Sequence, residues 1–314
     1  MLLLSGTGVS VIAALWLLLD FAFLIALFFH VLGDCARRSS PLCAIFQDLI
    51  RYGKTKTGRP AWLHCFDLPK RWFSHFYYLS VFWNGALLWL VVQSQLFGVE
   101  IPQWLQSLLH FFNKAPQQKI SGGEVSTILA LSLIWLHSLR RLEECLYVSV
   151  YSSGVIHVAQ YGLGVAYYFL IGITLLDYAN LDPKNVTVSD LAFQVHWYHI
   201  VGLALYIWAS VHQHRCHVIL ANLRKDKSGK VVTMSHVLPN GDWFERVSCP
   251  HYFAELLIYV SIALLFGLGH TSWWLVVMFV LFNQSLAAIL CHEFYHEKFD
   301  NFPAHRKAFI PYLF

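Results

Sequence analysis

Charge is scarce in this sequence. Asp, Glu, Lys and Arg make up 13% of its 314 residues, whereas they make up about a quarter of a typical soluble domain. Hydrophobic residues make up 57%, so the composition excludes an ordinary soluble protein and predicts a polytopic membrane protein. The net charge of +4 is too small to indicate a nucleic-acid-binding protein.

Several other signals are missing. The seven cysteines form no CxxC pair, so the sequence offers no convincing zinc site, and we expect reduced thiols. No basic segment precedes the first apolar run, which favours a retained first helix over a cleavable signal peptide. No stretch alternates polar and apolar residues as the strands of a membrane barrel do.

Standard nucleotide-binding loops are also absent. Gly162-Leu163-Gly164 lies inside an apolar helix and follows no strand, so it is not a dinucleotide-binding turn. The stretch GKTKTGRP from Gly53 to Pro60 lacks the Lys-Ser/Thr pair of a phosphate loop and continues into proline rather than a helix. Any nucleotide site must therefore be built from helices and the loops between them.

Long apolar segments dominate what is present, and a helix needs about 20 such residues to cross the hydrocarbon core. We predict an all-α, polytopic integral membrane protein with about seven transmembrane helices, forming one domain over residues 1–314. The third and sixth helices are short and are expected to extend into their polar flanks. The predicted helices are Val9–Leu32, Trp72–Phe97, Val125–Ser138, Tyr147–Leu176, Leu191–Val211, Tyr252–Gly267 and Ser272–Leu290.

Basic residues are unevenly divided between the two sets of connecting segments. One set, which includes the C-terminal tail, carries 19 of the 22 Lys and Arg, and the other holds only Lys114, Lys119 and Lys184. The positive-inside rule then predicts a lumenal N-terminus and a cytosolic C-terminus. Asn185-Val186-Thr187 is a glycosylation sequon in a predicted lumenal loop, which agrees with this orientation.

The longest polar interval of the second half runs from His212 to Glu255. Such a cluster indicates either a membrane-surface anchor or a site for an anionic ligand. We predict the second, a phosphate-bearing cofactor bound at the cytosolic mouth of a membrane enzyme. The cationic and imidazole side chains of the interval are His212, His214, Arg215, His217, Arg224, Lys225, Lys227 and Lys230.

The seventeen histidines suggest a metal hypothesis, that of a membrane iron oxygenase. His292 and His296 are four residues apart and would share a helical face. His212 and His214, however, are two apart and point to different sides of a helix, and no HH pair is present. We therefore predict no metal site.

A second cluster lies where the third predicted helix ends. His137, Arg141 and Glu144 fall on one helical face, at spacings of four and three. Basic side chains at a helix C-terminus either oppose the helix dipole and reach toward the surface, or serve a site. This stretch alone leaves both interpretations open.

Five stretches of the chain resemble the steroid 5-alpha-reductase family, and specifically its polyprenol (polyprenal) reductase branch. The resemblance covers nearly the whole chain and is densest over residues 212–314. The matching stretches are CAIFQDLIRYGKTK from Cys43, WLHSLRRLEECLYVSV from Trp135, CHVILANLRK from Cys216, GDWFERVS from Gly241 and RKAFIPYLF from Arg306.

The resemblance implies a seven-helix protein of the endoplasmic reticulum membrane that uses NADPH to saturate an activated C=C bond. Three positions depart from the family pattern: Ser138 replaces a Tyr of the steroid-reducing members, Val237 an Arg, and His251 an Asn. The implied cofactor-binding residues are Arg141, Gln213, His217, Arg224, His251, Glu255 and Tyr295. The implied catalytic residues are His292, Tyr295 and His137, with the proton donor among them unassigned.

The chemistry of hydride transfer narrows the expected substrate. Hydride adds to carbon only where electron density can be withdrawn, which an α,β-unsaturated aldehyde permits and an isolated allylic alcohol does not. We therefore expect reduction of polyprenal to dolichal, within the polyprenol-to-dolichol pathway that supports protein N-glycosylation. The long lipid would come from the bilayer and NADPH from the cytosol, with no obligatory protein partner. The alternatives are a 3-oxo-Δ4-steroid 5-alpha-reductase, an iron oxygenase and a non-enzymatic membrane protein.

Overall fold

The computed structural model describes residues 9–33, 40–113 and 123–314. Cys35, Arg37, Arg38, Lys114 and Lys119, which enter the cysteine and charge arguments above, lie outside these ranges. Two short strands, β1 (Asp67–Pro69) and β2 (Val155–His157), accompany the helices. The α-helices are α1 (Val11–Leu32), α2 (Pro41–Ile50), α3 (Phe73–Phe97), α4 (Gln103–Phe112), α5 (Gly123–Glu143), α6 (Val158–Leu175), α7 (Val188–Phe193), α8 (Trp197–Asn222), α9 (Pro250–Leu265) and α10 (Thr271–Lys298).

The helices confirm an all-α membrane protein. Five helical segments of the described residues are long and apolar enough to cross a membrane: Val11–Leu32, Lys70–Phe97, Gly123–Val148, Val158–Leu175 and Thr271–Lys298. The other two predicted segments overlap α8 and α9. The 16 residues of α9 span about 24 Å, which is less than the hydrocarbon core of about 30 Å.

Three predicted helices have wrong boundaries, and one of them is the helix predicted to end at Leu290, which continues as α10 to Lys298. In the segment predicted over Tyr147–Leu176, Tyr147 and Val148 end a π-helical turn, Glu144–Val148, that continues α5. Helix α6 begins only at Val158, because β2 intervenes and His157 caps α6 by accepting from the backbone N–H of Ala159 at 3.0 Å. The segment predicted over Leu191–Val211 is split, since α7 ends at Phe193 and α8 begins at Trp197. Helix α8 then continues to Asn222, so the first part of the polar interval is helical.

The expectation of reduced cysteines is wrong at one position. Cys43 takes part in a disulfide bond. Disulfide pairing depends on distance in space rather than on spacing in sequence, so the pattern of cysteines did not reveal it. The free thiols among the described residues are Cys65, Cys145, Cys216, Cys249 and Cys291.

A small ribbon ties the loop before α3 to the start of α6. Strands β1 and β2 pair antiparallel, with Asp67 opposite His157 and Pro69 opposite Val155. Beside the ribbon, Arg59 pairs with the carboxylates of Asp67 and Asp48. The segment from residue 51 to residue 72 is thereby held against the ends of the long helices.

The polar end of the molecule is the end at which α1, α5, α8 and α10 finish and α3, α6 and α9 begin. Contacts there join distant parts of the chain: His30 Nε2 lies 2.9 Å from Glu293 Oε1, and Arg224 donates to the carbonyl oxygen of Val150. At the opposite end, Trp16 of α1 donates from Nε1 to Thr174 Oγ1 of α6 at 2.9 Å. These contacts hold the helices together at both ends of the molecule, around a central cavity.

Candidate active site

A large cavity opens between the helices and reaches the polar end. Its volume is about 1050 Å³, at the upper end of the range of roughly 300–1,000 Å³ for small-molecule sites. Apolar side chains line one part, including Phe23, Phe29, Leu163, Tyr167 and Phe279. Charged and polar side chains line the other part, including Lys54, Lys70, Arg141, Gln213, Arg224, His251, Glu255 and Tyr295.

Glu255 of α9 is held in the cavity wall by α8. Gln213, which is 2% exposed, donates from Nε2 to the Glu255 carboxylate and, at 3.2 Å, to the carbonyl oxygen of His251. Arg140 donates to the Gln213 amide oxygen, which fixes the orientation of the amide. His137 Nε2 lies 3.3 Å from Glu255 Oε1 without a well-aligned hydrogen bond. The carboxylate therefore faces the cavity in a defined orientation.

Glu144 forms a second polar centre, at the end of α5. Its side chain is 1% exposed, and Arg140 Nη1 donates to its Oε1 at 2.7 Å while Arg141 pairs with Oε2. From α8, His214 and His217 each place Nδ1 2.8 Å from one of the carboxylate oxygens. A buried carboxylate needs such partners, and the arrangement holds Arg141 and His217 in the cavity wall.

Another part of the wall is cationic and lacks acidic partners. Lys54, Lys70 and Arg224 line the cavity, and none pairs with an Asp or Glu in the part of the chain that the structure describes. Burial and the positive charges of Lys54 and Arg224 lower the pKa of His236, another lining residue, to about 4. Uncompensated cations around a cavity favour an anionic ligand.

A free polar atom also faces the cavity. His251 lines it, and His251 Nδ1 is buried without a hydrogen-bond partner among the residues described. Unsatisfied buried nitrogen is costly, on the order of 1–3 kcal/mol. A bound ligand with a hydrogen-bonding group would remove this cost.

All of the predicted cofactor-binding residues lie in the cavity lining, although four different helices carry them. They are Arg141 of α5, Gln213 and His217 of α8, Arg224 just beyond α8, His251 and Glu255 of α9, and Tyr295 of α10. Their contacts with a cofactor stay predictions, but all seven residues lie in the wall of one cavity.

The predicted catalytic residues do not converge in the same way. Tyr295 lines the cavity, and Lys54 Nζ lies 3.8 Å from the centre of its ring. His292 is outside the lining, with Nδ1 2.8 Å from Ser248 Oγ and its ring against His296. His137 is completely buried behind Glu255. The catalytic roles of both histidines stay predictions.

Several lining residues escaped the sequence analysis: Tyr52, Lys54, Lys70, His236 and Cys291. A signal existed for Lys54, which lies in the glycine-bounded stretch from Gly53 to Pro60. That stretch is not a phosphate loop, yet Gly53 adopts a positive φ of 56°, and Lys54 follows it into the cavity wall. Positive φ is readily available to glycine.

The histidine-rich stretches diverge in space. His212 stacks on Trp243, with ring centres 4.3 Å apart, whereas His214 and His217 contact Glu144. Among the described residues, no three His, Cys, Asp or Glu side chains are grouped as metal ligands would be.

Comparison with known proteins shows the family. Residues 156–314 match the family model described as 3-oxo-5-alpha-steroid 4-dehydrogenase. A polyprenal reductase from Xenopus tropicalis is 63% identical over 307 residues, which cover 97% of this chain and 100% of that protein. The polyprenal reductase from Homo sapiens is 52% identical, covering 98% and 97%, and that from Danio rerio is 45% identical, covering 97% and 98%.

The chain belongs to the steroid 5-alpha-reductase family, in its polyprenal reductase branch. The resemblance inferred from the five sequence stretches is thereby confirmed.

Within this family, the positions that depart from the pattern differ in location. Ser138 is 1% exposed and lies outside the cavity lining, with Oγ 2.6 Å from Ser80 Oγ of α3. Val237 and His251 both line the cavity. In this protein, the hydrogen bond between the Ser138 and Ser80 hydroxyls therefore links α5 to α3.

Proposed function

We propose that this chain reduces the α,β C=C bond of a long-chain polyprenal to give dolichal, with NADPH as the hydride donor. One observation carries the proposal: a single cavity holds an apolar chamber, lined by side chains such as Phe23, Leu163 and Phe279, and a cationic wall of Lys54, Lys70 and Arg224, which have no acidic partner among the described residues. The polyprenal reductases named above, at 45–63% identity over nearly their whole length, support the choice of substrate.

The side chains in the wall fit a phosphate-bearing nicotinamide cofactor. Lys54, Lys70 and Arg224 provide cationic donors that pair with no carboxylate of residues 9–33, 40–113 and 123–314, and a guanidinium forms two parallel hydrogen bonds with phosphate oxygens. Glu255 provides an oriented acceptor for an amide or ribose hydroxyl, and His251 Nδ1 an unsatisfied polar atom. When bound, the cofactor would supply hydride for the β-carbon of the substrate.

The chain itself would polarise and protonate the substrate. Withdrawal of electron density requires a hydrogen-bond donor at the aldehyde oxygen. We assign this role to the Tyr295 phenol, because Tyr295 is the one predicted catalytic residue in the cavity lining. Lys54, above the Tyr295 ring, would stabilise negative charge as it develops. The apolar chamber would exclude water while the α-carbon takes up its proton.

The position of the chamber supports access from the bilayer. Trp16 joins α1 to α6 at the end remote from the polar end, through Thr174 and the ring of Tyr167. Nearer the polar end, residues of both helices, such as Ala26 of α1 and Leu163 of α6, face the cavity instead. A polyprenyl chain is too long to enclose, so we propose that it enters between α1 and α6 and remains largely in lipid.

We further propose seven spans for a single domain, with α8 and α9 as the additional two. The charge asymmetry supports a cytosolic position for the polar end, where NADPH is found, and a lumenal N-terminus. The endoplasmic reticulum is the proposed location, and the proposed partners are the bilayer lipid and cytosolic NADPH.

Product analysis tests this function. Purified protein would be given NADPH with polyprenal, with polyprenol or with a 3-oxo-Δ4 steroid. We expect dolichal from polyprenal and no direct saturation of polyprenol, because the alcohol has no electron sink. Efficient steroid reduction without polyprenal reduction would instead favour a steroid 5-alpha-reductase, and no reduction of any of them would contradict the proposal.

A further inference from the structure

A buried ion cluster behind the loop that carries Lys54 has no part in the mechanism proposed above. The side chains of Lys56 and of Asp48 in α2 are each 1% exposed, and Lys56 Nζ lies 3.0 Å from Asp48 Oδ2. Arg59 Nη1 donates to Asp48 Oδ1 at 3.0 Å, and Asp67 Oδ1 lies 3.4 Å from Lys56 Nζ. Charges are costly to bury, and a buried ion pair is weak evidence for added stability. The cluster therefore favours a role in fixing the conformation of this loop.

The loop is also fixed on the other side of Lys54. Thr55 Oγ1 accepts from the backbone N–H of Tyr52 at 3.3 Å and donates to the carbonyl oxygen of Tyr52 at 3.0 Å. The Tyr52 hydroxyl in turn shares a hydrogen bond of 2.5 Å with the hydroxyl of Tyr252 in α9. Lys54 therefore lies in a single turn that is held at one end by Tyr52 and at the other by Lys56.

The Lys54 side chain has few restraints of its own. Its Nζ lies 3.8 Å from the centre of the Tyr295 ring and 5.4 Å from that of Phe294, and it has no Asp or Glu partner among the described residues. Lysine has a flexible side chain with a compact charge at its end. The place of this ammonium group in the cavity wall thus depends on the backbone from which it extends, and Lys56 anchors that backbone two residues further on.

We propose that Asp48 is a positioning residue: by binding Lys56 inside the protein, it holds the turn from which Lys54 reaches Tyr295. This inference rests on the proposed function, in which Lys54 stabilises negative charge that develops beside Tyr295. Asp48 is not part of the cavity lining, so it acts through Lys56 and Lys54 and touches neither substrate nor cofactor.

A double-mutant cycle between Asp48 and Lys54 tests this role. Lys54→Gln should lower kcat/KM for polyprenal about tenfold or more, because a charge-stabilising group is lost. Asp48→Asn should have an effect of similar size, because Lys54 is then no longer held in place. The combined variant should lose no more activity than Lys54→Gln alone. A combined loss equal to the product of the two single losses would show independent action and overturn the proposal.

Substitutions of Lys56 provide the matched comparison and replace Asp48→Asn in the cycle if that variant does not fold. Lys56→Met removes the cation that Asp48 binds and should lower kcat/KM as Asp48→Asn does. Lys56→Arg keeps the cation and should retain most of the activity, so equal losses in the two Lys56 variants would contradict the proposal. Asp300→Asn, at an exposed position, should leave kcat/KM unchanged.

Hydrogen–deuterium exchange separates this inference from the proposed function, because it requires no catalysis. In purified Asp48→Asn in detergent, backbone amides of residues 51–56 should exchange faster than in the wild-type protein, whereas those of α5 should not. Unchanged exchange in this segment would overturn the positioning role, even if activity fell. A wild-type protein that does not reduce polyprenal would contradict the proposed function, and the exchange would then decide alone whether Asp48 fixes the turn.

Discussion

At the scale of the residue, Arg224 tests whether the unpaired cations serve a cofactor phosphate. Arg224→Ala should raise the KM for NADPH roughly 10- to 100-fold, since a hydrogen bond to a charged group contributes about 1.5–3 kcal/mol. Steady-state kinetics with varied NADPH would measure this change. Lys227→Ala, an exposed residue of the same basic interval, is the matched control and should leave the KM unaltered. An unaltered KM in Arg224→Ala would remove Arg224 from the site.

Substitution of Glu255 tests whether the site requires the length of this side chain in addition to its charge. If the carboxylate only opposed the dipole at the start of α9, Glu255→Asp would be nearly silent. If Gln213 holds the carboxylate in position, the site also requires a side chain as long as that of Glu. Glu255→Asp should then lower kcat/KM by about 10- to 100-fold, or roughly 1.4–2.7 kcal/mol. Protein yield and thermal stability should change little. Wild-type kcat/KM in this variant would show that Glu255 is misassigned.

Protonation of His236 is expected to make cofactor binding depend on pH. Its pKa is lowered to about 4 by burial and by the positive charges of Lys54, Arg224, Lys298 and Lys70. A bound phosphate offsets those charges and raises the pKa, so binding takes up a proton and strengthens as pH falls through about 6.5 to 5.

A comparison of two proteins isolates the contribution of His236. Dissociation constants for NADPH would be measured over that pH range in the wild-type protein and in His236→Gln. The ionisation of the cofactor phosphate affects both proteins equally. The dissociation constant should therefore depend more steeply on pH in the wild-type protein than in His236→Gln. Parallel curves would show that His236 does not face the phosphate.

Sequence reasoning found many of the residues of the candidate site but not the two lysines of the cationic wall, Lys54 and Lys70. Arg224 was predictable because it lies in the matching stretch from Cys216, and Glu255 because it lies within residues 212–314, where the family resemblance is densest. Lys54 and Tyr295 are separated by most of the chain, yet Lys54 Nζ lies 3.8 Å from the Tyr295 ring. No local spacing encodes such a contact, because it depends on how the loop before α3 folds against α10.

At the scale of the element, close packing of α8 on α9 positions Gln213 against Glu255. A Cβ added at Gly202 would lie 2.8 Å from the carbonyl oxygen of Ser261 and 2.9 Å from Leu265 Cδ2. Small residues let membrane helices approach closely. Gly202→Ala should therefore lower stability by about 1–3 kcal/mol, seen as a lower midpoint of thermal unfolding in detergent.

Gly162 of α6 is the matched control for this substitution. An added Cβ there meets nothing within 4 Å, so Gly162→Ala should be neutral or slightly stabilising, as alanine is in an exposed helix. Equal midpoints in the two variants would contradict the close approach of α8 and α9.

The helix boundaries show what periodicity and composition can predict. Apolar segments located α1, α3 and the start of α10 closely because each is a nearly continuous hydrophobic run, whereas the polar end of α10, from Cys291 to Lys298, was missed. The end of α8 was missed because its last residues are polar, and polar residues suggested a loop. In the structure those side chains have buried partners, as His217 has in Glu144, so the helix continues to Asn222.

At the scale of the whole molecule, the proposed orientation makes a prediction for sealed microsomes. The charge asymmetry and the exposed Asn185 predict that Asn185 carries a glycan, which Asn185→Gln should remove with a corresponding gain in gel mobility. The tail beyond Cys291 should be cleaved by protease added from the cytosolic side. A tail protected until the membrane is opened would reverse the orientation.

The central claim is that the cavity delivers hydride from NADPH to the β-carbon of a polyprenal and a proton to its α-carbon. Isotopic labelling of the product tests it most directly. With NADPH deuterated at the transferable position in ordinary water, the dolichal should carry deuterium at the β-carbon. With ordinary NADPH in deuterated water, deuterium should appear at the α-carbon instead. Deuterium from the cofactor at the aldehyde carbon, or no label transferred from NADPH, would contradict the account.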